Sequence, residues 1–434
     1  MKKIILKLIK LQLLVLSALF CSCTYVIDEN TLNENLDPIN NSVEDIIVPK
    51  GFNFETTDQI KLKIKSEDIS SPSIFSVYIT DDNDKKFFIG KGISDANGQL
   101  DYYFNYPKYI SKLYIERNLN GEISSKEIHF TSNFAYVTFD ESSSNRKLNQ
   151  DTIKGISDAD NDGIDDTLDE FNQHPKKVFN NYFPSSQHFS SIAFEDLYPL
   201  KGDYDFNDLI INYQFNLITN ASNLVTFIEA KIVFKYLIGT EKTSGFGIEL
   251  PFHSDSIKSA SGSFLTTGKI QLNNKGLESD NDLDKPVIIV FDNSYEMGNE
   301  NGDLIESDTI YININISDHP IAFSDLNKDI PYNAFIFINK DRSHEVHLPG
   351  KKPTQKFNKQ LLSLGDDVGD FKTQNGHPWA IHIPHQFTPP QEGIDITNAY
   401  SVFGEFVSSE GNNDKDWFID IDDHKIYSNL IINE

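Results

Sequence analysis

The sequence predicts an all-β protein: a β-sandwich over residues 47–140, an acidic linker over 141–176, and a large two-sheet β domain over 177–434. Three observations carry that expectation. Apolar residues recur at period two in many short runs, as where Ile60, Leu62 and Ile64 alternate with lysines. Turn-forming pairs such as Asn97-Gly98 and Asn120-Gly121 punctuate the runs. No amphipathic helical pattern of any length interrupts them.

The chain opens with Lys2, Lys3, Lys7 and Lys10, passes through an apolar stretch from Leu11 to Phe20, and reaches Cys21 and Cys23, the only two cysteines among 434 residues. A basic start and a short apolar core read as a secretory signal over 1–23, too short for a stable membrane span. With no cysteine elsewhere there is no disulfide framework, so the pair belongs to processing. The arrangement resembles a bacterial lipoprotein signal, in which a cysteine becomes the lipidated first residue. Cys23 is the expected acceptor, because small Ser22 precedes it whereas bulky Phe20 precedes Cys21. An ordinary signal with incidental cysteines is the alternative. Residues 24–46 are polar and Asn-rich, as suits a flexible tether. No later apolar run is long enough to cross a bilayer, so the membrane is expected as a partner only through lipid. Net charge is −27, with 65 acidic against 38 basic residues, which argues against nucleic acid as a partner.

Between 47 and 140, Phe75–Ile79 and Lys112–Ile115 repeat the alternation seen at Ile60–Lys65. About seven short strands in such a span suit a sandwich of prealbumin or immunoglobulin type. Residues 90–104, GKGISDANGQLDYYF, resemble the hairpin of prealbumin-like sandwiches. Such modules usually serve as spacers.

The linker contains the most specific chemistry in the chain, DADNDGIDDTLD at 158–169. Asp158, Asp160 and Asp162 offer carboxylates at alternate positions. Gly163 permits a sharp turn, Ile164 offers a backbone carbonyl, and Asp166 and Asp169 close the far side. So many hard oxygen ligands on a flexible loop suit calcium better than magnesium. Position twelve is Asp169 where a helix-loop-helix calcium hand has glutamate, and Gly155 and Pro175 flank the loop poorly for helices. The loop therefore resembles a thrombospondin type 3 calcium repeat more than an EF-hand. A solvated acidic linker is the alternative. A calcium ion there would offset carboxylate repulsion and fix the angle between the flanking domains.

Beyond Phe179 the strand pattern resumes at Val225–Phe234, Val287–Phe291, Thr309–Ile316 and Ala334–Ile338. Residues 194–213, FEDLYPLKGDYDFNDLIINY, gather Glu195, Asp196, Asp203, Asp205, Asn207 and Asp208 around a turn. In extended chain Asp203, Asp205 and Asn207 share one face, opposite Tyr204 and Phe206, which makes a second candidate metal site. A hydrogen-bonded turn whose side chains satisfy backbone amides is the alternative. The same words resemble the signature opening the LruC domain of bacterial lipoproteins. HEVHLPGKKPT (344–354), HPWAIHIP (377–384) and ITNAYSVFGEFVSSEGNNDKDWF (396–418) resemble that family's later motifs in order. His382 and His385 depart from it. The resemblance implies an envelope protein and no catalysis.

The histidines and tryptophans suggest two further chemistries. His344/His347 and His382/His385 are spaced by three, which in extended chain points each pair to opposite faces and disfavours a shared zinc. Trp379 and Trp417 would stack on a sugar in a carbohydrate-binding module, or fill a core. The reading as a whole is a lipid-anchored, calcium-binding protein of the outer membrane or cell surface, structural or adhesive, facing an extracellular protein or glycan. It would hold its C-terminal domain away from the membrane on the sandwich. A secreted carbohydrate-active enzyme or its helper subunit is the rival.

Overall fold

Alternating sequence becomes strand almost wherever it occurs. The computed structural model describes residues 42–80, 84–140, 157–235, 243–279, 284–298, 306–419 and 425–432. Cys23 and the signal lie outside the described residues. The first seven strands are Thr57–Ser66 (β1), Ile74–Thr80 (β2), Lys86–Ile93 (β3), Gln99–Pro107 (β4), Lys112–Leu119 (β5), Glu122–His129 (β6) and Phe134–Phe139 (β7). They form sheets of order β4-β1-β7 and β3-β2-β5-β6, packed as a sandwich. Ile60, Leu62 and Ile64 all point into its core. Asn120 (φ 53) and Gly121 (φ 86) make the tight β5–β6 hairpin through two left-handed residues. Asn97-Gly98 does something else: β3 and β4 belong to different sheets, so this turn carries the chain across the sandwich.

The next strands are Tyr182–Phe183 (β8), Ser190–Phe194 (β9), Leu209–Thr219 (β10), Leu224–Lys235 (β11), Gly245–Glu249 (β12), Ile257–Ser261 (β13), Val287–Phe291 (β14), Ile310–Ile316 (β15), Ile321–Ala322 (β16), Asn333–Phe337 (β17), Glu345–His347 (β18) and Ala380–Ile383 (β19). One sheet runs β13-β15-β11-β10-β9-β19, with β8 and β16 at its margin, and a second runs β14-β12-β17-β18. The all-β, multi-sheet class is thus observed; the α-helices among the described residues are the short ones at Phe323–Asn327, Ile396–Ala399 and Phe403–Ser408.

The larger sheet is a wall between two cores. From β9 and β10, Ile192, Phe194, Leu209, Ile211, Tyr213 and Phe215 face the main core. Ala193 and Ile210, with Ile381 and Ile383 of β19, face a second core built around Trp417. Phe403 packs edge-on to Trp417 at 4.9 Å and Tyr400 at 5.2 Å.

Two expectations change here. The sandwich is no detached spacer, because its core is continuous with that of the larger sheet and the described residues form one compact body. Tyr102 hydrogen-bonds Asn181 at 2.5 Å and stacks on Phe323 at 5.0 Å, while Asn223 pairs with both backbone groups of Ile93 at 2.9 and 2.8 Å. Packing and hydrogen bonds therefore join the two parts directly. The tether reading also fails at its end. Val43 is buried, and its N–H donates to Asp395 at 2.8 Å. Phe52 and Phe54 then enter the second core against Phe406 and Phe403. The chain thus enters the described fold at the C-terminal module, not at the sandwich.

His382 fastens this entry segment to the sheet. Thr56 donates its hydroxyl to the His382 carbonyl at 2.7 Å, and the ring Nε2 pairs with the Tyr213 hydroxyl at 2.7 Å. Burial pushes the imidazole down to about 3. The folded state therefore disfavours the charged ring. Its contribution is intact above the unfolded value of about 6.5 and is lost as pH falls toward the folded value, costing about 2 kcal/mol by pH 5. Denaturant unfolding of the native protein and His382→Gln at pH 7 and pH 5 will show a stability gap that narrows on acidification by that amount. A gap independent of pH would mean the ring is not held neutral.

Candidate metal centres

The linker loop is shaped by hydrogen bonds from its own amides. Asp158 accepts from Asn161 N at 2.8 Å and Gly163 N at 3.0 Å, and Asp162 accepts from Ile164 N at 2.9 Å. Gly163 (φ 98) and Asn161 (φ 64) supply the left-handed turns. Asp166 closes the loop by accepting from Ala159 N at 2.9 Å and from the Ser157 hydroxyl. Ile164 turns inward and packs with Ile74 of the sandwich and with Val178 and Phe179. This small apolar cluster holds the loop over the junction of the two parts.

The result is a convergence of charge. One oxygen from each of Asp158, Asp160 and Asp162 lies within 4.8 Å of the others. Asp160 Oδ2 and Asp162 Oδ2 are buried without a hydrogen-bond partner. Asp169 belongs to the same patch: desolvation, then repulsion from Asp162, Asp160 and Asp166, pushes its carboxyl up to about 6. Asp162 is raised for the same two reasons, burial first. Orphaned carboxylate oxygens meeting at one point fit a hard divalent cation. Of the loop's six candidates, Asp158, Asp160 and Asp162 form the tight group, Asp169 flanks it, Asp166 is spent largely on closing the loop, and the Ile164 side chain anchors it.

The 195–208 constellation folds differently from an extended strand. Tyr204 (φ 61) and Phe206 (φ 52) are left-handed, and β10 begins only at Leu209. Both aromatic rings enter the second core. Glu195, Asp203 and Asp205 offer oxygens within 4.8 Å of one another on the other side. Glu195 is fully buried; its Oε1 accepts from Phe206 N at 2.7 Å. Asp205 accepts from Gly393 N at 2.8 Å and from the Asn207 amide at 2.7 Å. Desolvation, then the nearby carboxylates Asp208, Asp205 and Asp203, holds Glu195 well above the usual carboxylate range, and Asp205 rises to about 7. Asp208 lies beside this group and clasps the backbone, Asp196 N donating to Asp208 Oδ2 at 2.8 Å. Burial, then Asp196, lifts Asp208 to about 8.

Sequence reasoning missed Glu392 and the 390–393 turn. Glu392 is raised by burial and then by Asp203, which places it at the rim. No local pattern marks it, since its neighbours lie almost two hundred positions earlier.

The histidines do not converge. His344 pairs with the Tyr198 carbonyl at 2.7 Å, His347 with Glu345 at 2.8 Å and Asn333 at 2.7 Å, and His377 with the Ile46 carbonyl at 3.2 Å. Among the described residues the clusters able to hold a metal are the two acidic ones. Trp379 and Trp417 are each 1 % exposed, so neither offers a face to a sugar. Trp379 donates to the Leu200 carbonyl at 2.7 Å instead.

Residues 224–418 are similar to the family described as Domain of unknown function (DUF4842), and the 195–208 turn precedes the matched stretch. A crystal structure of a "Putative lipoprotein" from Bacteroides ovatus is similar at a TM-score of 0.52 and 13% identity, covering 83% of this chain and 99% of that one. At that identity the likeness is one of fold alone. No curated protein matches the sequence.

Gly202 reports on the second cluster. A Cβ there would sit 1.8 Å from Glu195 Oε2, whereas one at Gly163 meets nothing within 4 Å. Gly202→Ala is expected to cost about 1–3 kcal/mol through crowding. Truncating the carboxylate as well, in Glu195→Ala/Gly202→Ala, will make the two costs non-additive in a double-mutant cycle of denaturant melts. Strict additivity would show that the two residues do not touch.

Proposed function

We propose that this chain is a lipid-anchored, calcium-binding protein of the bacterial cell envelope, at the outer membrane or cell surface, with a structural, adhesive or ligand-presenting role. The observation that carries the reading is the loop at 158–169, where three aspartates converge and two buried oxygens lack partners. Asp158, Asp160 and Asp162, with Asp169 beside them, would hold the ion. Bound there, calcium supplies positive charge to a patch that otherwise repels itself. Because Ile164 packs on Ile74, Val178 and Phe179, ordering the loop would also fasten the sandwich to the larger sheet. The resemblance to a thrombospondin type 3 repeat supports calcium, and the LruC-like words at 194–213 and 344–418 support an envelope setting. The basic, apolar leader ending at Cys23 and the name of the Bacteroides ovatus neighbour support a lipid anchor.

A protein or glycan outside the cell is the partner this reading implies. The rival carbohydrate-active enzyme needs two carboxyls facing each other across an open cleft, roughly 5–10 Å apart. The acidic groups here instead crowd around single points, with oxygens within 4.8 Å of each other. That supports binding over hydrolysis.

Calcium titration by calorimetry, with melting curves in calcium and in chelator, tests the reading. Asp160→Ala/Asp162→Ala is expected to remove one class of site and to shrink the calcium-dependent rise in Tm. No binding at millimolar calcium would refute it. Fractionation tests the anchor: Cys23→Ser should move the protein from the membrane to the soluble fraction, and unchanged membrane association would overturn lipidation at that residue.

A further inference from the structure

We infer that the chain binds a second divalent cation, between the β9–β10 turn and residues 390–393, with Glu195, Asp203 and Asp205 as carboxylate ligands. The inference rests on residues distinct from the 158–169 loop and stands or falls separately from it.

Three acidic groups meet here, and one of them is a side chain of an unusual kind. Glu195 is 0% exposed, and while Oε1 accepts from Phe206 N, Oε2 is buried without a hydrogen-bond partner. A buried carboxylate oxygen left unpaired costs several kcal/mol unless something positive or a proton meets it. The charged neighbours that act on Glu195 are Asp208, Asp205 and Asp203, all acidic. A bound cation would supply the positive charge that the unpaired Oε2 lacks.

The backbone is arranged to make room. Position 202 is glycine, and any Cβ there would occupy the space of the Glu195 carboxylate. Tyr204 and Phe206 adopt left-handed conformations that aromatic residues rarely take, sending both rings into the second core. That leaves Asp203 and Asp205 on the Glu195 side. Such local cost persists where surrounding structure or function over-determines it. Asp203 is exposed, which gives an ion a route from solvent. Carboxylates alone as charged ligands, without histidine or thiolate, select a hard cation such as calcium or magnesium.

The ion would act at a distance in sequence. Asp205 also accepts from Gly393 N at 2.8 Å, and Asn207 donates to Asp205 and to the Pro390 carbonyl at 3.3 Å. Charge compensation at Glu195 and Asp205 therefore secures the 390–393 turn, from which the helices Ile396–Ala399 and Phe403–Ser408 of the second core follow.

The test is calcium titration of the metal-stripped, full-length protein, with magnesium in a parallel arm. Glu195→Gln keeps the shape and removes the charge; Asp203→Asn does the same at an exposed position where folding is safe. The loop variant Asp158→Asn/Asp162→Asn is measured beside them. Expected is one equivalent of bound cation fewer in Glu195→Gln and in Asp203→Asn, together with a smaller cation-induced rise in Tm, and the second site retained in the loop variant. Unchanged stoichiometry in Glu195→Gln, with a Tm in chelator equal to or above that of the native protein, would show a protonated glutamic acid and overturn the inference. Should Glu195→Gln fail to fold, Asp203→Asn decides: undiminished stoichiometry overturns it. Stoichiometry lost only in the Glu195 and Asp203 variants would leave this site standing and remove the loop instead.

Discussion

A carboxylate enclosed by protein, with acidic groups as its charged neighbours, is the constraint around which the C-terminal half is organised. Glu195 follows directly on β9, and its one satisfied oxygen holds the amide of Phe206 on the far side of the β9–β10 connection. The connection is thereby drawn tight, with Tyr204 and Phe206 pressed into the second core and Asp203 and Asp205 gathered at the acid. Asp205 reaches on to Gly393, and from there the chain builds the helical module around Trp417. That module receives Phe52 and Phe54 of the entry segment. Entry segment, central sheet and C-terminal module therefore meet behind one acidic turn. Desolvating an ionised carboxylate is among the more expensive things a fold can do, so its compensation governs how firmly this assembly closes.

The two acidic clusters solve the same electrostatic problem at different depths. In the 158–169 loop the carboxylates are half-exposed, the backbone is a local turn, and the apolar anchor is small: Ile164 with Ile74, Val178 and Phe179. Around Glu195, by contrast, Asp205 is buried as well and is tied to a segment remote in sequence, while Asp203 reaches solvent. A shallow local site exchanges its ion with solvent and orders a surface loop. A deep one behaves as part of the core. The sandwich and the larger sheet also meet directly, away from either cluster. Tyr102, Phe323, Asn181 and Asn223 join the two parts through packing and hydrogen bonds.

What was legible in the sequence was what is local. Period-two runs such as Ile60–Lys65 located strands because a half-buried strand alternates by necessity. Asn120-Gly121 located a hairpin because two successive left-handed residues are needed there. The order Asp158, Asp160, Asp162, Gly163 marked a loop whose carboxylates converge. The failures share a cause, since each depends on contacts between distant segments. Asn97-Gly98 looked like a second hairpin, but whether the next strand pairs with the last is decided by the whole sandwich. Residues 42–46 looked like tether because polar composition does not reveal that Asp395 waits to accept from Val43. Glu392 joined an acidic turn that carries no sequence trace of it. The 203–207 alternation pointed its side chains the right way for the wrong reason: left-handed residues, not a strand, separate the acids from the aromatics.

The central claim is that cations complete both acidic clusters, and diffraction from crystals grown in calcium, then exchanged into manganese, tests it most directly. The account predicts anomalous density at two positions, one ringed by Asp158, Asp160 and Asp162 and the other by Glu195, Asp203 and Asp205. Calcium–oxygen distances should fall at about 2.3–2.6 Å. Density at neither position, with Glu195 Oε2 instead hydrogen-bonded as a neutral acid and the loop carboxylates met only by water, would contradict it.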